Sequence, residues 1–303
     1  MHDGLVVVDK PAGWTSHDVV AKLRGVYGQR RIGHAGTLDP DATGVLLVGL
    51  GRATRLLRFL QDAGKSYRGD VVLGVATTTL DAAGDVVDRR AMSVSRDDAA
   101  AAAPRFVGDI EQVPPMVSAI KVGGRRLHEL ARRGEDVERS PRVVHVDRLE
   151  IEHFEPGPYP VVTLVVDCSS GTYVRSLAAD LGTALGGCAH LATLRRLRVG
   201  AFTLDDAHRL EEIEADPTAF VLTLTEAMRG LERLDVDAER ARGVQHGMPF
   251  PATTFDRDVG SGPFAMVGPD GELLAVYERR RGGLRASVVM APGAQASDAG
   301  GAR

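Results

Sequence analysis

A carboxylate in a glycine-rich loop is the first feature of this 303-residue chain that could do chemistry. The run Arg31-Ile32-Gly33-His34-Ala35-Gly36-Thr37-Leu38-Asp39-Pro40-Asp41-Ala42-Thr43-Gly44 sets Asp39 just before an apolar segment, with His34 five residues upstream. Reacting groups concentrate in loops held by rigid strands, and a carboxylate so placed can act as a nucleophile. The pair Asp39-Pro40 has a second reading, as the start of a turn, and on local chemistry alone that is its commoner use.

Three other residues hold usable groups. Tyr67 lies in an alternating, strand-like segment, where a tyrosine commonly just packs. Arg175 stands at the start of a helix after Gly171-Thr172-Tyr173, where it can equally face solvent. Asp81 ends the run Thr77-Thr78-Thr79-Leu80-Asp81, a frequent turn position. Cys168 and Cys188 make neither a disulfide framework nor a zinc site, so no metal is expected and each thiol reads as a small buried side chain. Gly49-Leu50-Gly51-Arg52-Ala53-Thr54, with Asp70 downstream, partly matches a dinucleotide fingerprint, but Thr54 takes the third glycine's place. A tight strand-to-helix turn explains it better.

The elements that must position these groups follow from periodicity. Residues 5–8 and 45–48 read as buried strands, and Ser16 caps a helix running to about Tyr27. Residues 33–43 read as loop, 52–61 as an amphipathic helix and 65–75 as a strand. Ser95 starts an Ala-rich helix that ends near Pro104. Residues 116–122 form a strand, 125–133 a short basic helix, 143–154 and 161–168 strands, 173–185 a helix and 191–199 a strand. The elements do not alternate as βαβ, so a mixed α/β or α+β sheet is expected rather than a doubly wound parallel one. After about Gly230 a short helix at 238–243 precedes strands at 264–267 and 272–278, joined by the hairpin signal Gly268-Pro269-Asp270-Gly271. The chain is thus expected to divide into residues 1–230, a small β-rich domain at 231–292, and a disordered tail at 293–303.

Apolar residues make up 44% of the chain, enough for a sizeable core, and no apolar run approaches the ~20 residues of a membrane span. The start, Met-His-Asp-Gly, lacks the basic and apolar stretches of a signal peptide, so a cytoplasmic protein is expected. The formal charge of −4 does not announce a nucleic-acid binder, but its distribution says more. Basic residues gather between Lys22 and Arg68, again at Lys121, Arg125, Arg126, Arg132, Arg133, Arg139 and Arg142, and at Arg195, Arg196 and Arg198. Acidic residues concentrate from Asp205 to Glu239. Such asymmetry suits a phosphate-binding face, and equally a set of solvated helix faces.

The loop around Asp39 resembles the signature Gly-His-Ala/Gly-Gly-Thr-Leu-Asp-Pro of the TruB family of tRNA pseudouridine synthases. Four further blocks follow the family's order: Lys10-Pro11 through Ser16; Lys65-Ser66-Tyr67; Ser118-Ala119-Ile120-Lys121 continuing to Leu130-Ala131-Arg132; and Gly171-Thr172-Tyr173-Val174-Arg175. Together they cover most of residues 5–200.

The resemblance implies a pseudouridine-synthase-type mixed, largely antiparallel sheet flanked by helices, with a small PUA-like C-terminal domain matched only loosely. It implies isomerisation of uridine 55 in the T-loop of tRNA, acting on a flipped-out base, by a monomer with no membrane partner. Asp39 matches the nucleophile, and either ribose C1′ or uracil C6 can receive its attack. Arg175 matches its partner, expected to lower the carboxylate pKa by roughly 1–3 units. Tyr67 matches a tyrosine that packs on the base and helps remove the C5 proton. Tyr173 and Leu194 match pocket-lining positions, His34 a residue that seats the extruded nucleotide, and Asp81 the acid of a Thr-rich block. Lys10, and Lys121, Arg125, Arg126, Arg132 and Arg133 of an RNA-gripping insertion at about 118–142, complete the implied substrate contacts. No redox change or net hydrolysis occurs, so no cofactor is expected. Two departures stand out: His128 where many relatives carry Tyr, and Asp41 where an apolar residue is common. A rival reading is an RNA-binding module without turnover, against which stand Asp39, Tyr67 and Arg175, because binding alone needs no carboxylate beside RNA.

Overall fold

The computed structural model describes residues 2–116, 121–122, 125–126, 137, 139–255 and 259–290, with backbone alone for 121–122, 125–126 and 252. The chain runs β1 (Gly4–Lys10), α1 (Ser16–Tyr27), β2 (Ile32–Ala35), β3 (Thr43–Leu50), α2 (Leu57–Gln61), β4 (Lys65–Leu73), β5 (Val75–Thr77), β6 (Val86–Arg89), α3 (Arg96–Ala102) and β7 (Gly108–Gln112). A short hairpin, β8 (Lys121–Val122) with β9 (Arg125–Arg126), precedes the long strands β10 (Arg142–Glu155) and β11 (Val161–Cys168). Helix α4 (Val174–Ala184), β12 (Ala189–Val199), β13 (Phe202–Thr203), α5 (Leu210–Ala215) and α6 (Leu224–Ala227) follow. The last elements are β14 (Glu232–Asp235), α7 (Ala238–Gln245), β15 (Phe264–Val267), β16 (Leu273–Arg280) and β17 (Gly283–Val289).

The main sheet has the order β1-β3-β12-β4-β11-β10-β7, with β2 on β3 and β13 on β12. Its pairings are antiparallel except that of β12 with β3. The fold is therefore the expected mixed, antiparallel-rich sheet. A second sheet, β14-β15-β16-β17, is built from residues 232–289, with Gly268 donating to the Glu272 carbonyl across the tight turn between β15 and β16.

The continuous apolar run in β1 has a direct cause, since both faces of that strand are buried. Val6 and Val8 pack with Val19, Val20 and Leu23 of α1, whereas Leu5 and Val7 share a cluster with Leu273, Val276 and Val288 of the second sheet. Burying each such Leu or Val fully contributes about 1.5–3 kcal/mol. On the far half of the sheet, Leu177, Ala178 and Leu181 of α4 pack on Val71, Val162, Leu164 and Val166. The parallel pairing of β12 with β3 depends on Gly44, whose φ is +99° and whose Cβ, if present, would lie 2.2 Å from the Arg196 carbonyl oxygen.

Several expectations change. The cap of α1 is Thr15, in a reciprocal box with Asp18, and Ser16 turns inward instead. Residues 32–35 form β2 before the loop begins, because their amides pair with β3. The helix expected at 52–61 divides into a 3-10 turn (Gly51–Arg55) and α2. The strand expected at 65–75 breaks at Gly74, φ +82°. Arg125–Arg126 is extended, not helical, and the rest of that expected helix lies outside the described residues, as do 117–120 and the tail 293–303. The dinucleotide reading fails on charge: the Asp3 carboxylate accepts the Arg52 amide at 2.6 Å, where a pyrophosphate would have to sit. No helix among the described residues is long and apolar enough to cross a membrane.

Candidate active site

The loop between β2 and β3 is fastened from three sides. Gly36 takes a left-handed conformation, φ +84°, and Ala42 donates to the Asp39 carbonyl at 3.1 Å, closing a turn with Pro40 at its second position. The turn reading of Asp39-Pro40 holds, and the turn leaves the carboxylate facing a cleft. Ser16 brackets Leu38, accepting from its N–H at 2.9 Å and donating to its C=O at 3.2 Å. Lys10, fully buried, donates to the carbonyls of Pro11 (2.9 Å), Trp14 (2.5 Å) and Pro40 (2.8 Å). Burial pushes its ammonium down to about 8. Lys10 therefore cannot reach RNA and holds the loop instead, a correction to its expected substrate contact. On the third side Arg196, 1% exposed, donates through Nε to Val45 O (2.7 Å), Nη2 to Gly36 O (3.2 Å) and Nη1 to Thr37 O (3.4 Å).

Asp39 opens onto a cleft of about 390 Å³ bordered by Tyr67, Tyr173, Arg175, Leu194, Lys65 and Arg196. A second hollow of about 210 Å³, bordered by Thr79 and Asp81, shares Asp39, Arg175 and Leu194 with the first. Arg175 lies in the first turn of α4, where the helix dipole disfavours a cation, yet its side chain is only 6% exposed. Two carboxylates compensate it. Its Nε is 3.2 Å from Asp39 Oδ2, its Nη2 donates to Oδ1 at 3.4 Å, and its Nη1 reaches Asp81 Oδ2 at 3.0 Å. Asp81 is itself fixed, accepting from the Thr79 hydroxyl and from the Ala83 N–H at 3.1 Å. The preceding Leu80 adopts φ +63°, a left-handed conformation uncommon for such a side chain.

Burial is the largest influence on Asp39 and pushes its carboxyl above the ordinary value; Arg175 opposes this and Asp81 adds to it. Arg175 acts in the expected direction, but burial outweighs it. Asp39 is 43% exposed by surface yet sits in a concavity, and Arg175 divides its charge between two acids. Tyr67 on β4 is 8% exposed, with its phenol raised chiefly by burial. Tyr173 caps α4, its N–H donating to Gln112 Oε1 at 2.9 Å while its C=O accepts from Nε2 at 3.2 Å. His34, on β2, meets His17 edge-to-face with ring centroids 5.3 Å apart. Its Nδ1 is buried without a hydrogen-bond partner among the described residues, and burial lowers its pKa.

Asp39, Tyr67, Arg175, Tyr173, Leu194 and Asp81 are thus brought together, with His34 behind the loop. Side chains of Lys121, Arg125 and Arg126 are not described, and Arg132 and Arg133 lie outside the described residues. Sequence reasoning missed Ser16, Gln112 and the inward role of Arg196. The Arg195, Arg196, Arg198 run marked a charge but not its direction, since Arg196 alone of the three is buried. Among the described residues no group of three His, Cys, Asp or Glu is arranged to hold a metal.

Comparison with known proteins gives the family. Residues 24–174 match the model of the TruB family pseudouridylate synthase N-terminal domain, and residues 231–291 that of the tRNA pseudouridine synthase II C-terminal domain. The tRNA pseudouridine synthase B of Thermobifida fusca is 47% identical over 300 residues, covering 96% of this chain and 99% of the relative. That of Symbiobacterium thermophilum is 50% identical over 247 residues, covering 81% and 82%. A chain of a crystallised Cbf5-Nop10-Gar1 complex superposes with a TM-score of 0.74 at 27% identity, covering 94% of this chain and 83% of its own. Near-complete mutual coverage at 47% identity leaves one assignment: the chain belongs to the TruB family of pseudouridylate synthases.

Proposed function

We propose that this enzyme converts uridine 55 in the T-loop of tRNA to pseudouridine, with Asp39 as nucleophile and no cofactor. The observation that carries the reading is the paired Asp39–Arg175 on the floor of a cleft walled by Tyr67, Tyr173 and Leu194. The name of the relatives, tRNA pseudouridine synthase B, supports tRNA as the substrate class. In the isomerisation N1–C1′ breaks, C5–C1′ forms, C5 loses its hydrogen as a proton and N1 gains one, so no redox partner is needed. A carboxylate nucleophile divides this into easier steps. Tyr67 and Leu194 hold the base, Tyr67 takes part in removing the C5 proton, and Asp81 shares Arg175 with Asp39. Reaching a stacked base requires extruding it, and seating the extruded nucleotide, the role that the family resemblance assigns to His34, is its part in this reading. The catalytic unit is residues 1–230, with the small β-rich unit at 231–292 beside it.

The test is tritium release from T-arm stem-loops labelled at uracil C5 of position 55 alone. The parent releases tritium, and Asp39→Asn, checked for deamidation, releases none while binding the RNA within a few-fold. Turnover by pure Asp39→Asn removes the nucleophile assignment; binding without release by the parent overturns position 55 as the target.

A further inference from the structure

Two arginines border the cleft, and they are balanced differently. Arg175 faces two carboxylates. Arg196 faces three carbonyls, and among the described residues no carboxylate stands within ion-pair distance of it. A buried cation without a counter-ion acts on its surroundings far more strongly than a paired one. Its direct cross-strand neighbour is Tyr67, since β4 and β12 pair Tyr67 with Arg196, and both side chains border the same cleft.

We propose that Arg196 is a positioning residue for the removal of the C5 proton, acting through Tyr67 while it holds the loop that carries Asp39. The inference rests on the reaction proposed above. Once C5–C1′ has formed, C5 carries both ribose and hydrogen. The Tyr67 phenolate oxygen takes that hydrogen as a proton, the C–H electron pair returns to the ring, and N1 takes a proton from water. Tyr67 must enter this step deprotonated, its own proton having gone to solvent, and a neighbouring cation favours that state. Burial raises the Tyr67 phenol, and the Arg196 guanidinium is the largest influence against it; Cys168 and Asp39 act with burial. Lys65, Lys10 and His34 are each held down in part by the same guanidinium, so its charge is felt on all sides.

The experiment is single-turnover pseudouridine formation on a prefolded T-arm stem-loop carrying hydrogen or deuterium at the target C5, followed from neutral to alkaline pH. Arg196→Gln should slow the step by about 10²-fold, the typical worth of a general base. Its deuterium isotope effect should exceed the parent's, and its rate should keep climbing at pH values where the parent has levelled, because a phenol without its cation ionises later. A slowed variant with the parent's isotope effect and a parallel pH profile overturns the proposal, leaving Arg196 as a loop anchor only. Arg196→Lys carries the test if the Gln variant does not fold. A lysine buried there without a counter-ion should lose its charge at lower pH than an arginine, so the rate should fall as pH rises; a profile superposing on the parent's overturns the proposal as well. If the parent itself releases no C5 tritium, it is the proposed reaction that fails, and not this inference alone.

Discussion

At Asp39 two effects of opposite sign meet, and burial wins over Arg175. A raised folded-state pKa means that the folded protein binds this proton more tightly than the unfolded chain. The associated stability is fully present below the ordinary carboxylate value and is lost as pH rises through the raised one. At neutral pH the ionised carboxylate is therefore destabilising. Asp39→Asn should be at least as stable as the parent near neutrality, with the gap closing as pH falls through the raised pKa; thermal unfolding over a pH series measures it. The parent's chemical step should weaken over the same acid range, earlier than an ordinary carboxylate would require. A variant that is clearly less stable at neutral pH would mean that the ion pair outweighs desolvation.

The elements around the loop act by close approach. β3 can lie parallel to β12 only because Gly44 has no side chain and tolerates φ +99°. Gly44→Ala should cost on the order of 3–5 kcal/mol, in the exceptional range for a single substitution, because backbone rather than a movable side chain blocks the new methyl group. Denaturant unfolding reads the loss directly, and a cost below about 1 kcal/mol would show that the two strands are free to part. Ser16 illustrates the same dependence at the start of α1, where Thr15 caps the helix and leaves the Ser16 hydroxyl to hold Leu38, next to Asp39.

For the whole molecule, the second sheet is not a loose appendage. Leu273, Val276 and Val288 share one apolar cluster with Leu5, Val7 and Leu47 of the main sheet. Leu273→Ala should cost ~2–5 kcal/mol and lower a single calorimetric transition; two transitions, with only one displaced, would show that the sheets unfold independently. RNA grip also belongs at this scale. If Arg125, Arg126, Arg132 and Arg133 meet phosphates, each arginine replaced by Gln lowers the salt slope of binding by roughly 0.7–0.9. Filter binding across a salt series checks this, and an unchanged slope would move the RNA footprint to the surface between Lys22 and Arg68.

The sequence by itself determined what neighbouring residues decide: the apolar runs of β1 and β3, the turn chemistry of the loop, the Ser95 cap of α3 and the tight turn after β15. Its block order, through a family resemblance, named Asp39, Tyr67 and Arg175 across more than a hundred residues of separation. Only the tertiary structure decided how charges are distributed among partners. No spacing shows that Arg175 is divided between Asp39 and Asp81, that Lys10 is sealed beneath Pro40, or that of three clustered arginines Arg196 alone turns inward. Charge type is local information. Burial and the choice of partner belong to strands and helices far apart in the chain, and those two quantities set the protonation of Asp39 and the environment of Tyr67.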